Sequence, residues 1–317
     1  MRYDAIVSGY VSMDHIIRID SPASIGHTSI VLNADNTKTQ YGGCGPNIAI
    51  GLCKLGKRAV PILRVGTDWE TNGYRAYLEQ SGVPTDSITV LQDESTSTCY
   101  LLQDNNNDHI TIFYPGSMSR QHAAPVDEEL VKNTRLGVIT VASEPDNRYF
   151  LDACRKWNVP IVFGMRDDPD AFPPEFLKEI LENSTIIFMN EDERMKTEQM
   201  FGSGFIRKLL DEKAASVVVE TRGKEGSICY EKTQDGTGVH KIPVSPVREV
   251  VDATGAGDAY MTGFLYGYVD GMPVEKCCCI GAALSGYVIQ ASGCTTNIPS
   301  AEDLMKKAEE LMKEITK

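Results

Sequence analysis

Apolar runs of strand length recur along the middle of this chain, at 59–65, 137–142, 160–163, 185–189 and 216–220. Helix-period patterns fall between them, at about 70–81, 146–157, 174–182 and 202–213. Runs this short and this uniformly apolar suit strands covered on both faces. Parallel neighbours need a crossover of a dozen or more residues, usually a helix. The alternation therefore predicts an α/β fold, one mostly parallel sheet flanked by helices. A first strand at 3–9 opens the chain, and a helix at 46–55 carries Pro46 in its first turn. Helices at 273–290 and 301–315 close it.

One stretch breaks the rhythm. Residues 97–103 and 109–114 read as strands joined by the polar run Asp104-Asn105-Asn106-Asn107-Asp108, hence a hairpin. Residues 10–41 are polar, with short strand-like pieces at 15–20 and 36–41. Together these segments form a small separate sheet. The division is a main domain from 1–9, 42–95 and 120–317, and a β unit from 10–41 and 96–119.

A charge of −13 disfavours a nucleic-acid or anionic-membrane surface. No apolar run reaches membrane-spanning length, and no basic start precedes an apolar signal segment. The nine cysteines form no C-x-x-C pair, which suggests a reducing cytoplasm. Cys277-Cys278-Cys279 lies in a helical pattern and reads as small buried residues.

Two motifs carry chemistry. Asp252-Ala253-Thr254-Gly255-Ala256-Gly257-Asp258 leads into an apolar helical segment at 259–269. Gly255, Ala256 and Gly257 let a ligand approach the backbone closely. A helix starting there offers free N–H groups and the positive end of its dipole to an anion. Asp258, in the same turn, can take a proton from an attacking hydroxyl. Anion cradle plus base is the minimal equipment for phosphoryl transfer to an alcohol. Upstream, Gly42-Gly43-Cys44-Gly45-Pro46-Asn47 lets a hydroxylated ligand lie against the main chain, with Asn47 supplying a donor and an acceptor.

Two look-alikes fail. Gly51 to Lys57 spells most of a Walker A loop, but Arg58 follows where Ser or Thr must hold Mg²⁺, and Gly51 sits inside a helical pattern. Gly255-Ala256-Gly257 begins a dinucleotide fingerprint, but Tyr260 stands where its third glycine belongs.

The two motifs resemble the N- and C-terminal signatures of the ribokinase-like (PfkB) carbohydrate and nucleoside kinases. The first is followed by Ala49 and Leu55-Gly56, as in that family. Asp14, Asn190 with Glu193, and Thr221 with Gly223 and Gly226 extend the resemblance along the whole chain. It implies that the small sheet is a lid over the acceptor and that the lids can join a homodimer. It implies ATP with Mg²⁺, Asp258 as base, and the 255–257 turn as anion hole. Asp14, Gly42, Gly43 and Asn47 would hold acceptor hydroxyls; alone, Asp14 reads as a loop carboxylate. Thr221, Gly223 and Gly226 would form the nucleotide-phosphate turn, although a plain strand-end turn fits them as well. Asp252 and Thr254 belong to a region where the family can hold a monovalent cation such as K⁺. Asn190 and Glu193 fit Mg²⁺-bound water and equally a helix capping box.

The acceptor is the open question. Phe113-Tyr114-Pro115-Gly116-Ser117-Met118 resembles a segment of bacterial adenosine kinases, in which Phe113 would stack on a base. The same ring could pack the lid. Arg166, after the strand at 160–163, stands near where relatives carry a carboxylate, and an arginine there suits an anionic sugar or sugar phosphate. The leading expectation is a nucleoside phosphorylated on its 5′-hydroxyl. The alternatives are a sugar or sugar-phosphate kinase and, more remotely, a non-catalytic binding protein on the same fold.

Overall fold

The computed structural model describes residues 2–105 and 108–315. The main sheet takes its strands from across the chain: β1 (Tyr3–Ser8), β4 (Ala59–Ile62), β9 (Thr134–Ile139), β10 (Ile161–Gly164), β11 (Ile186–Asn190), β12 (Val217–Thr221), β13 (Ser227–Thr233) and β14 (Gly236–Ile242). The remaining strands are β2 (Ser12–Arg18), β3 (Thr39–Gly42), β5 (Arg64–Gly66), β6 (Thr89–Leu91), β7 (Thr98–Gln103) and β8 (His109–Tyr114). The main sheet runs β14-β13-β12-β11-β10-β9-β1-β4. From β4 to β12 all pairings are parallel, and β13 and β14 add an antiparallel edge.

Alternation along each strand builds two cores. Val7, Val138, Val162, Phe188 and Val219 face one side, where they meet the helices α1 (Cys44–Lys54), α8 (Ala256–Tyr268), α9 (Val274–Val288) and α10 (Ala301–Ile315). Ile6, Ile139, Phe163, Ile187 and Val218 face the other, against α4 (Glu144–Lys156), α5 (Pro174–Asn183) and α7 (Phe205–Glu212). Every parallel strand therefore buries both faces, which is why its sequence reads as an unbroken apolar run. Cys277, Cys278 and Cys279 are all buried in α9. No helix among the described residues is long and apolar enough to cross a membrane.

The second sheet, β3-β2-β7-β8, contains the expected hairpin, with β7 and β8 paired antiparallel. Asn106 and Asn107 of its expected turn lie outside the described residues. The sheet is mixed, because β2 and β7 run parallel. Asp14 sits within β2, on a strand and not in a loop.

Several expectations need correction. The run at 59–65 is two strands, and β5 leaves the main sheet to pair with β6. The pattern at 70–81 begins as a 3₁₀ turn, Thr67–Glu70, and becomes helical only in α2 (Tyr74–Gln80) after left-handed Gly73. The pattern at 202–213 starts late, at α7, because Gly202 and Gly204 have φ of 105° and 80°. Before it lies α6 (Glu191–Phe201), a helix that periodicity missed because only Glu193 and Thr197 are buried. The short α3 (Glu128–Lys132) and the β13–β14 hairpin were also not expected.

In an open parallel sheet, ligands bind beyond the carboxyl ends of the strands. Here those ends deliver Tyr10 and Asp14 after β1, Thr140 after β9, Arg166 after β10, Asn190 on β11 and Thr221 on β12.

Candidate active site

Two helix N-termini converge on one carboxylate. Gly255 caps α8 with φ of 77°, and a Cβ there would lie 2.6 Å from Cys294 Cβ, so only glycine fits. Ala256 N–H donates to Ala253 O at 3.2 Å and tightens this turn. Gly257 and Asp258 follow in the first turn, where N–H groups have no partner within the helix. A Cβ on Gly257 would meet nothing within 4 Å, so the backbone there opens on free space. Asp258 is 6% exposed, and its Oδ2 accepts from Asn47 Nδ2 at 2.9 Å. Asn47 comes from the first turn of α1, which packs beside α8. Its Oδ1 is buried and has no hydrogen-bond partner among the described residues. A buried unpaired acceptor costs free energy and marks where a ligand donor belongs.

The small sheet carries a second carboxylate. Asp14 Oδ1 accepts from Ser12 Oγ, and Oδ2 lies against Gly42, where a Cβ would come within 2.2 Å. Burial raises the Asp14 pKa, and the Ser12 hydrogen bond and His15 oppose that rise. Gly43 has φ of 101°, and a Cβ on it would strike Tyr10 O. Across the lid, Asp14 is paired with Cys99 and Cys99 with Phe113. The three residues therefore share one face, with Asp14 and Phe113 two strand spacings apart, roughly 10 Å. Phe113 stands 5.1 Å from the Tyr10 ring, centroid to centroid, and is 37% exposed. Burial, Asp146 and Asp168 push the Tyr10 phenol to about 12, so it stays a neutral donor.

A larger cavity lies beyond α8. Thr221 ends β12, and a turn follows with Gly223 and Gly226 at φ of 53° and 84°. These three line a cavity of about 500 Å³ whose other walls include Val250, Ala256 and Tyr260. A second hollow of about 70 Å³ is lined by Cys44, Thr140, Arg166, Asn190, Glu193 and Asp258. Thr221 and Gly257 line both. A ligand filling the larger cavity would thus direct one end past Gly257 toward Asp258.

The capping reading of Asn190 and Glu193 is met. Glu193 N–H donates to Asn190 Oδ1 and Asn190 N–H to Glu193 Oε2, each at 2.8 Å, a complete capping box. Glu193 nevertheless lines the hollow, and burial raises its pKa. Asp252 and Thr254 form a local turn, with Thr254 N–H donating to Asp252 Oδ1 at 2.9 Å. No group of three or more His, Cys, Asp and Glu side chains that could hold a metal occurs among the described residues.

Sequence reasoning missed Tyr10, Cys44 and Thr140. Thr140 gave no signal, because the expected strand at 137–142 runs through it, whereas β9 ends at Ile139. Burial pushes the Cys44 thiol to about 12, with Asp258 adding to the rise, so it is a neutral wall and not a nucleophile.

Comparison with known proteins fits this geometry. The model of the pfkB family of carbohydrate kinases matches residues 4–301. The chain belongs to that family. As a pfkB-family kinase it is a phosphotransferase with an alcohol group as acceptor. It is 29% identical over 303 residues to a nucleoside kinase of Methanocaldococcus jannaschii, covering 95% of each chain. A crystal structure of the nucleoside kinase from that organism, 27% identical, superposes with a TM-score of 0.84 and covers 98% of this chain and 99% of that one. A Burkholderia thailandensis nucleoside kinase in complex with inosine (TM-score 0.80, 21% identity, 98% and 99% covered) has the same fold. So does an Arabidopsis thaliana ribokinase complexed with ribose and ATP (TM-score 0.81, 21% identity, 98% and 99% covered).

The placement of Asp14 makes a prediction. Asp14→Ala should raise the acceptor KM far more than the ATP KM, because the carboxylate sits on the small sheet and does not line the cavity beyond α8. Steady-state kinetics with each substrate varied in turn checks this. Equal effects on both constants would contradict the assignment.

Proposed function

We propose that this kinase transfers the γ-phosphoryl group of ATP to the 5′-hydroxyl of a nucleoside. The carrying observation is the line Asp14–Cys99–Phe113 on one face of the lid. A carboxylate for a sugar diol and an aromatic ring for a base, roughly 10 Å apart, match the two ends of a nucleoside. Asn47, bonded to Asp258 and with its Oδ1 unpaired, would meet a ribose hydroxyl.

In this reading Asp258 orients the 5′-hydroxyl and accepts its proton. The N–H groups at Gly257 and Asp258 hold the charge of the transferring group, as preorganised donors do in phosphoryl transfer. Thr221, Gly223 and Gly226 cradle the nucleotide phosphates. Mg²⁺ arrives with the nucleotide, and Glu193 would hold its water, which fits a cation that keeps most of its hydration shell. Asp252 and Thr254 would hold a monovalent cation behind the cradle. The outer lid face, with Tyr100, Ile110 and Ile112 exposed by 41–55%, would form a homodimer. All nine cysteines are free thiols, which supports a cytoplasmic setting. Nucleic acid is not a partner in this reading, given the charge of −13.

The second reading is a sugar, sugar-acid or sugar-phosphate kinase, and Arg166 is the observation that favours it. Transfer from radiolabelled ATP to adenosine, ribose, fructose and fructose 1-phosphate decides between them. Phe113→Ala should cost roughly 1–3 kcal/mol in nucleoside binding, the scale of base–aromatic stacking. Any side activity on ribose should stay flat. Turnover of phosphorylated sugars without any nucleoside turnover would overturn the first reading.

A further inference from the structure

Asp258 is held at both carboxylate oxygens, and the two holds differ. Asn47 Nδ2 meets Oδ2 at 2.9 Å, and Asn47 is buried. Arg166 Nη2 stands 3.7 Å from Oδ1, too far for a hydrogen bond, and its side chain is 46% exposed. Arg166 follows β10 on a segment without regular structure, and besides Asp258 its Nη2 has, among the described residues, only a long contact to Cys44 Sγ, at 3.8 Å. An oxygen that faces a guanidinium is poorly placed to take a hydroxyl proton. One hold has to open, and the long, half-exposed one opens more easily.

The surroundings of Arg166 indicate what opens it. Arg166 lines the small hollow together with Glu193, Thr221 and Gly257. Thr221 and Gly257 also line the donor cavity. The guanidinium therefore stands where the terminal phosphoryl group of a nucleotide in that cavity would reach. A terminal phosphoryl group carries more charge than one carboxylate and offers oxygen pairs that match the guanidinium fork.

We propose that Arg166 is a donor-side residue: the terminal phosphoryl group draws its guanidinium away from Asp258 and so frees Oδ1 for the acceptor hydroxyl. The proposal rests on the kinase reading above, and it moves Arg166 from the acceptor to the donor. In the transfer, the acceptor oxygen forms a bond to the γ-phosphorus and its proton passes to Asp258 Oδ1. The bond from γ-phosphorus to the β,γ-bridging oxygen breaks, and its electron pair leaves on ADP. Arg166 holds charge on the transferring group from one side, and the first turn of α8 holds it from the other. The base is thereby released only when a phosphoryl donor is in place.

The test titrates wild type, Arg166→Gln and Arg166→Lys with ADP and with the non-hydrolysable triphosphate AMP-PNP, both with Mg²⁺, by calorimetry, alongside steady-state kinetics. Arg166→Gln should bind AMP-PNP about tenfold or more weakly while ADP binding is unchanged. Its kcat should fall on the order of 10²-fold or more, with the acceptor KM flat. Arg166→Lys should restore part of the AMP-PNP affinity, because the charge remains and the fork does not. Equal loss for ADP and AMP-PNP, a rise confined to the acceptor KM, or no change in AMP-PNP binding would each overturn the proposal. The wild-type acceptor panel tests the kinase reading separately: absence of transfer sinks that reading, while the titration still decides where Arg166 acts.

Discussion

Asp258→Asn should fold, bind both substrates and lose turnover by on the order of 10²-fold or more, the usual scale for a positioned base. Asparagine keeps the shape of the side chain and can still accept from Asn47 Nδ2 through its amide oxygen. It cannot take the hydroxyl proton. The neighbouring N–H groups of α8 are untouched, so the phosphates keep their cradle. Binding of ADP and of the acceptor, measured by calorimetry, should therefore change little while kcat falls. Near-normal kcat in a sequence-verified Asp258→Asn protein would remove Asp258 from the chemistry and leave it as a first-turn carboxylate serving the α8 dipole.

The parts of this molecule that could be read from sequence are those set by local pattern. The parallel strands declared themselves because both of their faces are buried. The last helix was placed with the right limits, Ala301–Ile315, because Leu304, Ala308 and Leu311 repeat at helical spacing on its buried side. The capping box of Asn190 and Glu193 was legible because both partners lie within one turn. Three features were not legible in full. Helix α6 showed only its start, through that capping box; it is polar on nearly every side, so periodicity did not trace the rest. The hairpin of β13 and β14 extends the sheet by main-chain pairing, and its side chains are mostly half-buried or exposed. The approach of Arg166 to Asp258 joins the end of β10 to the start of α8, and sheet topology sets it, not spacing. The line from Asp14 to Phe113 is of the same kind. Each residue could be singled out alone, but only the register of β2, β7 and β8 puts them on one face.

Gly257→Val should separate catalysis from stability at a single residue. Gly257 lies in the first turn of α8, and a Cβ there meets nothing within 4 Å. Valine is a better helix former than glycine by a few tenths of a kcal/mol, so stability should stay within about 0.5 kcal/mol of wild type. The branched side chain would project into the passage where the donor cavity meets the hollow of Asp258. Phosphate could then no longer approach the α8 N-terminus closely. Loss of such preorganised donors costs about 10²–10³ in kcat, and the ATP KM should rise with it. Gly255→Ala, two residues earlier, should do the opposite. Its φ of 77° and the 2.6 Å approach of a Cβ to Cys294 Cβ make any side chain strained. It should lose about 1–2 kcal/mol of stability from the left-handed backbone alone. Thermal denaturation and ATP kinetics on the two variants give both comparisons. Unchanged turnover and unchanged ATP KM in Gly257→Val would place the anion cradle elsewhere, and the convergence of two cavities at this glycine would then have no part in phosphoryl transfer.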